Sequence, residues 1–296
     1  MNGIINIYKE AGYTSFDVVA KMRGILKERK IGHTGTLDPD ATGVLPVCIG
    51  NGTKLVELFA DHEKEYIAEL QLGIATDTQD MTGEVIKTSP VEVNESQISE
   101  AIKSFVGEYM QIPPMYSAVK VNGKKLYELA RAGKEVERKP RKVFFKEIEI
   151  LSIEIPIVKI RVSCSKGTYI RTLCNDIGEK LGCFAAMKSL LRTRVGDFTL
   201  DDAVSLEELE QYRDADELDK VVLSPDRVFM HMPEVHSKPE NCKYLDNGNA
   251  IYPHMLINPP YFKDGAEVRM YGNGKFYGIY QFDLEKKRLK PIKMFL

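Results

Sequence analysis

The carboxylate best placed for chemistry is Asp38. It lies in Gly32-His-Thr-Gly-Thr-Leu-Asp-Pro-Asp-Ala-Thr-Gly-Val-Leu45, where His33, Asp38 and Asp40 share a loop with three glycines and a proline. Gly32, Gly35 and Gly43 allow backbone angles that other residues avoid, and Pro39 stiffens the loop and keeps Asp38 out of the helical region. That much rigidity around one carboxylate suits a functional site. The same residues also read as a plain helix-to-strand turn capped by Asp38.

A second dense segment is Ser163-Cys-Ser-Lys-Gly-Thr-Tyr-Ile-Arg-Thr172, joining a strand to a helix. Lys166, Gly167 and Thr168 bring a cation and backbone N–H groups to a helix N-terminus, where an anion can bind. Tyr169 and Arg171 flank the core residue Ile170, so their side chains leave the helix away from the core and can point into a cleft. An arginine there is a natural partner for an ionised carboxylate such as Asp38. The alternative is a helix cap with a surface arginine. A third feature is basic: between 120 and 142, nine Lys and Arg residues face only Glu128, Glu135 and Glu137, a local excess suited to phosphate or to solvent. Tyr66, on the apolar face of a strand pattern, reads by itself as core.

Other chemistries lack their residues. The five histidines form no HxxxH pair and no cluster with cysteine, so no metal site is expected. No phosphate-loop or dinucleotide fingerprint occurs, nor a G-x-S-x-G elbow. The five cysteines, at 48, 164, 174, 183 and 242, have no CxxC spacing and fit reduced thiols in a cytoplasmic protein. Net charge is −2, so any affinity for a polyanion must be local. No apolar run is long enough for a signal peptide or membrane span.

The elements that must position these groups follow from periodicity. A strand is expected at Ile4–Ile7, then a helix capped by Thr14 or Ser15 that buries Val18, Met22, Ile25 and Leu26. Val44–Ile49 reads as a buried strand and Thr53–Phe59 as a short helix. In 64–72, Tyr66, Ala68, Leu70 and Leu72 share one strand face. Residues 73–82 read as a polar turn. Asn94 caps a helix burying Ile98, Ile102, Phe105 and Val106. Asn122-Gly123 signals a hairpin, followed by a helical piece at Leu126–Arg131; 120–142 is expected to protrude and to be mobile. Strands at 143–153 and 158–164 precede a helix at 169–181, and a third clear helix covers 205–212. Past residue 230 the texture suggests a small β-rich unit, with strands at 268–272 and 275–282.

Taken together, these segments resemble bacterial tRNA pseudouridine-55 synthases of the TruB type. The Asp38 segment resembles that family's catalytic motif. Lys9-Glu-Ala-Gly-Tyr-Thr-Ser resembles its N-terminal K-P-x-G-x-T-S motif, with Glu10 in place of the usual proline. Lys64-Glu-Tyr-Ile-Ala, Ile112-Pro-Pro-Met-Tyr-Ser-Ala-Val-Lys and Ser165-Lys-Gly-Thr-Tyr-Ile-Arg-Thr follow in order. The resemblance covers about residues 2–196 and weakens past 230, where the family carries a small PUA-like RNA-binding domain.

The resemblance implies an α+β fold: a mixed, largely antiparallel sheet flanked by helices in 1–229, with the insertion at about 120–142, and a β-rich PUA-like domain in 230–296. It implies isomerisation of uridine 55 in the tRNA T-loop, without cofactor or metal, by a cytoplasmic monomer that needs no protein partner and no membrane. Asp38 would be the catalytic carboxylate, Arg171 its partner, Tyr66 the ring that stacks on the flipped base, and Tyr169 a proton acceptor beside the ribose. His33, Gly35 and Leu37 would contact the substrate loop, and Lys54 and Lys166 its phosphates. Two other readings use the same residues: a module that grips and remodels tRNA without turnover, and an Asp-dependent hydrolase that releases uracil.

Overall fold

The structure is a computed structural model, and it describes residues 1–60 and 62–296. The chain opens with strand β1, Gly3–Lys9, which is buried almost throughout. Helix α1, Ser15–Leu26, starts at Thr14: the Thr14 hydroxyl accepts from the Asp17 amide at 3.0 Å, and Asp17 returns a bond to the Thr14 amide at 2.8 Å. Short strand β2, Ile31–His33, and strand β3, Thr42–Ile49, then pair antiparallel, so part of the expected loop is sheet. The helix expected at 53–59 is a 3₁₀ turn, Gly50–Leu55, running into α2, Val56–Ala60.

Strand β4, Lys64–Leu72, shows the strict alternation of its sequence, with Tyr66, Ala68, Leu70 and Leu72 buried on one face. The region expected to be only a polar turn contains a small ladder, β5 at Ile74–Thr76 paired with β6 at Val85–Thr88. Helix α3, Glu95–Lys103, is capped by Asn94 and buries Ile98 and Ile102. Val106 was expected on that face but is 47% exposed. The helix stops at Lys103 and the chain turns into strand β7, Gly107–Gln111, so helical phase no longer governs Val106.

The insertion holds a two-residue hairpin, β8 at Lys120–Val121 and β9 at Lys124–Lys125, turning at Asn122 (φ 51°) and Gly123 (φ 82°). Helix α4, Leu126–Arg131, follows, and residues 134–140 carry no regular structure. Arg141 and Lys142 do not belong to the protrusion. They begin the long strand β10, Arg141–Glu154, and pair with Gln111 and Met110 of β7. Strand β11, Ile157–Cys164, and helix α5, Ile170–Leu181, follow.

Strand β12, Ala185–Val195, is the longest element that sequence periodicity missed. Two register shifts against β4 break its alternation, and an arginine occupies a core position. Short strand β13, Phe198–Thr199, ends the ladder, and helix α6, Leu206–Asp214, carries a capping box from Ser205 to Glu208.

Among the described residues, nine strands form one mixed sheet. Its path is β1-β3-β12-β4-β11-β10-β7, with β2 on β3 and β13 on β12. Every pairing is antiparallel except β12 with β3, which join in parallel through Leu191–Thr42 and Arg192–Gly43. The main core gathers β4, β10, β11 and β12 with α3 and α5; a second cluster packs α1 on β1 and β3. The edge strand β1 is covered by the returning chain, whose Leu223 carbonyl accepts from Ile4 at 2.8 Å.

A second sheet comprises β14 (Glu234–Ser237), β15 (Leu256–Ile257), β16 (Glu267–Gly272), β17 (Lys275–Asp283) and β18 (Arg288–Met294), in the order β15-β14-β16-β17-β18. Helix α7, Cys242–Asp246, lies against its core through Leu245. The two sheets meet in a shared apolar cluster, with Phe198 of β13 and Phe59 of α2 on one side and Ile279 of β17 and Phe295, just past β18, on the other. All five cysteines are free and buried. Among the described residues no helix is long and apolar enough to cross a membrane.

Candidate active site

The Asp38 loop is fixed from several sides. Ser15, at the start of α1, accepts the Leu37 amide on its hydroxyl at 2.9 Å. Lys9, fully buried at the end of β1, donates from Nζ to the carbonyls of Pro39 at 2.8 Å, Ala41 at 2.6 Å and Glu10 at 2.9 Å. Burial lowers its pKa to about 8, against the pull of Asp40 and Asp38. The loop closes on itself where the Ala41 amide meets the Asp38 carbonyl at 3.1 Å. Glu10 contributes only its backbone here and its side chain is exposed, so the departure from proline leaves these contacts in place.

Of the three loop glycines, only Gly43 has a positive φ, 105°. A Cβ there would lie 2.2 Å from the Arg192 carbonyl oxygen, so glycine is demanded by the parallel contact of β3 with β12. Gly32 and Gly35 sit at ordinary angles, which leaves their conformational freedom unused.

Arg171 reaches this loop from the first turn of α5. It is 5% exposed, in a cleft with Asp38 rather than at the surface of a helix cap, and its guanidinium is fully engaged. Nε lies 3.0 Å from Asp38 Oδ2, and Nη2 lies 3.2 Å from Asp38 Oδ1 and 3.0 Å from the Tyr116 carbonyl. Nη1 donates to the Thr78 carbonyl at 3.1 Å and to Asp80 Oδ2 at 3.3 Å. Asp80 is the site neighbour that sequence reasoning missed, since it lay in a segment read as a turn. Thr78 and Thr82 hold its other oxygen at 2.7 and 2.5 Å.

The Asp38 carboxylate is half-open, with 38% of its side chain accessible. Desolvation raises its pKa above the ordinary carboxylate value, Arg171 pulls it down, and Asp80 raises it further. A carboxylate held by a side-on arginine and open on one side can meet a reacting carbon or a proton.

Tyr66, 8% exposed, packs in the main core with Leu37 and Ala41 of the Asp38 loop, so the core reading holds for it. Its cross-strand partner on β12 is Arg192. Burial raises the Tyr66 pKa, so the phenol stays protonated. Tyr169 stands at the N-cap of α5, where Gln111 clasps its backbone, accepting its N–H at 2.8 Å and donating to its carbonyl at 3.0 Å. That amide is therefore taken. His33 ends β2 with Nδ1 buried and unbonded; burial and the Arg192 charge lower its pKa, so it is neutral near pH 7. Lys166 lies in the loop before α5. Lys54 is placed apart from the group, its Nζ 2.8 Å from the Met294 carbonyl of the second sheet.

The chain matches the family model described as "TruB family pseudouridylate synthase (N terminal domain)" over residues 23–170, and "tRNA pseudouridylate synthase B C-terminal domain" over 171–230. The chain belongs to the TruB family of pseudouridylate synthases. It is 52% identical to the tRNA pseudouridine synthase B of Lachnoclostridium phytofermentans and 44% identical to that of Clostridioides difficile, each alignment covering 100% of both chains. Among solved structures, a chain from an H/ACA ribonucleoprotein bound to a substrate RNA containing 2′-deoxyuridine aligns with TM-score 0.71 at 27% identity. That alignment covers 99% of this chain and 85% of the other. A chain of a Cbf5-Nop10-Gar1 complex aligns with TM-score 0.71 at 30% identity over the same shares. The fold is thus a pseudouridine-synthase fold, as the TruB-like segments implied.

Proposed function

We propose that this TruB-family enzyme converts uridine 55 in the T-loop of tRNA to pseudouridine. The observation that carries the reading is the half-open Asp38 carboxylate paired side-on with buried Arg171, above the Tyr66 ring. Relatives named tRNA pseudouridine synthase B along their whole length supply the substrate class.

The reaction breaks the bond from ribose C1′ to uracil N1 and makes one from C1′ to C5. The C5 proton leaves and N1 gains one, so atoms balance without redox change. The target is flipped out of its loop to reach the carboxylate. Asp38 attacks C1′, attacks the uracil ring, or removes a ribose proton to give a glycal; all three need it ionised. Arg171 holds it in that state and aims it, and Asp80 fixes Arg171. Tyr66 stacks on the base, and Tyr169 lies beside the ribose as proton acceptor. His33, with Gly35 and Leu37, supports the extruded loop. Lys166 and Lys54 contact phosphate, Lys54 from the junction of the two sheets. The insertion closes over the T-arm, and residues 230–296 serve as a PUA-like RNA-binding domain. The enzyme works as a cytoplasmic monomer.

The test is chemical mapping of an unmodified tRNA transcript. The expected product has unchanged mass and a new carbodiimide-reactive site at position 55. Loss of a uracil mass identifies a hydrolase, and binding with neither change identifies a remodelling module.

A further inference from the structure

Arg192 is, among the described residues, the largest side chain that is fully buried, at 1% exposure. Among the described residues no carboxylate pairs with it. Its partners are two backbone carbonyls: Nε donates to the Val44 carbonyl at 2.6 Å and Nη2 donates to the Gly35 carbonyl at 3.4 Å. A guanidinium stays charged at any working pH and only donates. Burying such a charge without a counter-ion costs several kcal/mol, and an apolar residue of similar volume is often more stable. Stability alone therefore does not account for an arginine here.

Its position does. Arg192 stands on β12 where the sheet changes sense, paired in parallel with Gly43 on one side and antiparallel with Tyr66 on the other. One side belongs to the strand that leaves the Asp38 loop, the other to the strand that bears the Tyr66 ring. The guanidinium donates to the carbonyl of Gly35, three residues before Asp38, while its place in the ladder sets it opposite Tyr66. We propose that Arg192 is a positioning residue, a buried clasp that holds the Asp38 loop against the strand that bears Tyr66 so that stacking surface and carboxylate keep one geometry. Lysine at this place keeps the charge but has no planar fork with which to span the two carbonyls.

The catalytic part of this assignment rests on the proposed reaction; the clasp itself does not. Two measurements test it. In Arg192→Lys, the single-turnover rate on tRNA should fall by roughly tenfold to a hundredfold while tRNA affinity stays at the wild-type level, as for a misplaced rather than a missing group. In Arg192→Gln, which keeps a donor but loses the forked guanidinium, the amides of Thr34 and Leu37 should exchange hydrogen faster than in wild type. Their acceptors, the Pro46 carbonyl and the Ser15 hydroxyl, lie on elements other than β12. Exchange needs no turnover, so it separates failure of the clasp from failure of the assigned reaction, and it decides the matter if Arg192→Lys does not fold. A folded Arg192→Lys with wild-type rate, or unchanged loop exchange in Arg192→Gln, overturns the proposal.

Discussion

Arg171 meets Asp38 side-on across 133 residues of chain, Nε 3.0 Å from Oδ2 and Nη2 3.2 Å from Oδ1. The pair ties the first turn of α5 to the loop before β3. It gives the carboxylate a fixed direction while leaving one side open.

Asp38→Asn keeps the shape of this contact and removes its charge. Turnover should vanish while tRNA affinity stays within about tenfold, or ~1.4 kcal/mol. Steady-state and burst assays of the purified variant decide it. Turnover above about a hundredth of wild type would show that another group does the work, because losing an essential nucleophile or base costs far more than that.

The pH dependence has a definite sign. Burial holds the Asp38 carboxyl above the ordinary range, Arg171 opposes this, and Asp80 adds to it. With the ionised form active, the rate rises as Asp38 loses its proton, so the acid limb should lie above ~3.9, the usual aspartate value. Arg171→Met removes the main opposing charge and should move the limb to higher pH. Asp80→Asn removes a like charge and should move it lower. Single-turnover pH–rate profiles check both directions; a limb that stays put in both variants excludes Asp38 as the titrating group.

Arg171→Met should also lower stability. It leaves Asp38 and Asp80 facing a site without its cation, and breaking a buried pair costs ~3–5 kcal/mol, less here because Asp38 is half-open. Urea denaturation measures the loss. A midpoint equal to wild type would mean that the two carboxylates are held by their remaining partners alone.

Tyr66→Phe keeps the ring and should be much milder than Tyr66→Ala, since stacking contributes ~1–3 kcal/mol per base. Rate and affinity for both variants distinguish the roles. Equal, large losses would assign the chemistry to the hydroxyl, and a fall in melting temperature alone for Ala would leave Tyr66 a core residue.

In the insertion, Lys134 and Lys139 are exposed, whereas Arg138 donates to the Pro113 carbonyl at 3.2 Å and Lys142 pairs with Glu108 at 2.5 Å. Neutralising Lys134 and Lys139 together should weaken tRNA binding and flatten its salt dependence. The slope of log K against log salt should change by about 0.7–0.9 for each phosphate that the protein no longer neutralises. An unchanged slope with full activity would remove the insertion from the RNA-binding surface.

The sequence by itself determined the local parts of this protein. Alternation in 64–72, the caps at Thr14, Asn94 and Ser205, and the Asn122-Gly123 turn are each set by neighbours within a few residues, so periodicity and side-chain chemistry suffice to read them. The motif around Asp38 and the Tyr-Ile-Arg segment were equally legible, and together they pointed to the family. What the chain could not disclose is which distant groups converge. Asp80 read as a turn residue because its bond to Arg171 spans 91 positions. β12 went unread because register shifts break its alternation, and Arg192 looks like a surface residue until the carbonyls of Val44 and Gly35 meet it in the core. A buried charge is tolerated only where the fold brings polar partners to it, and that convergence is a property of the tertiary structure alone.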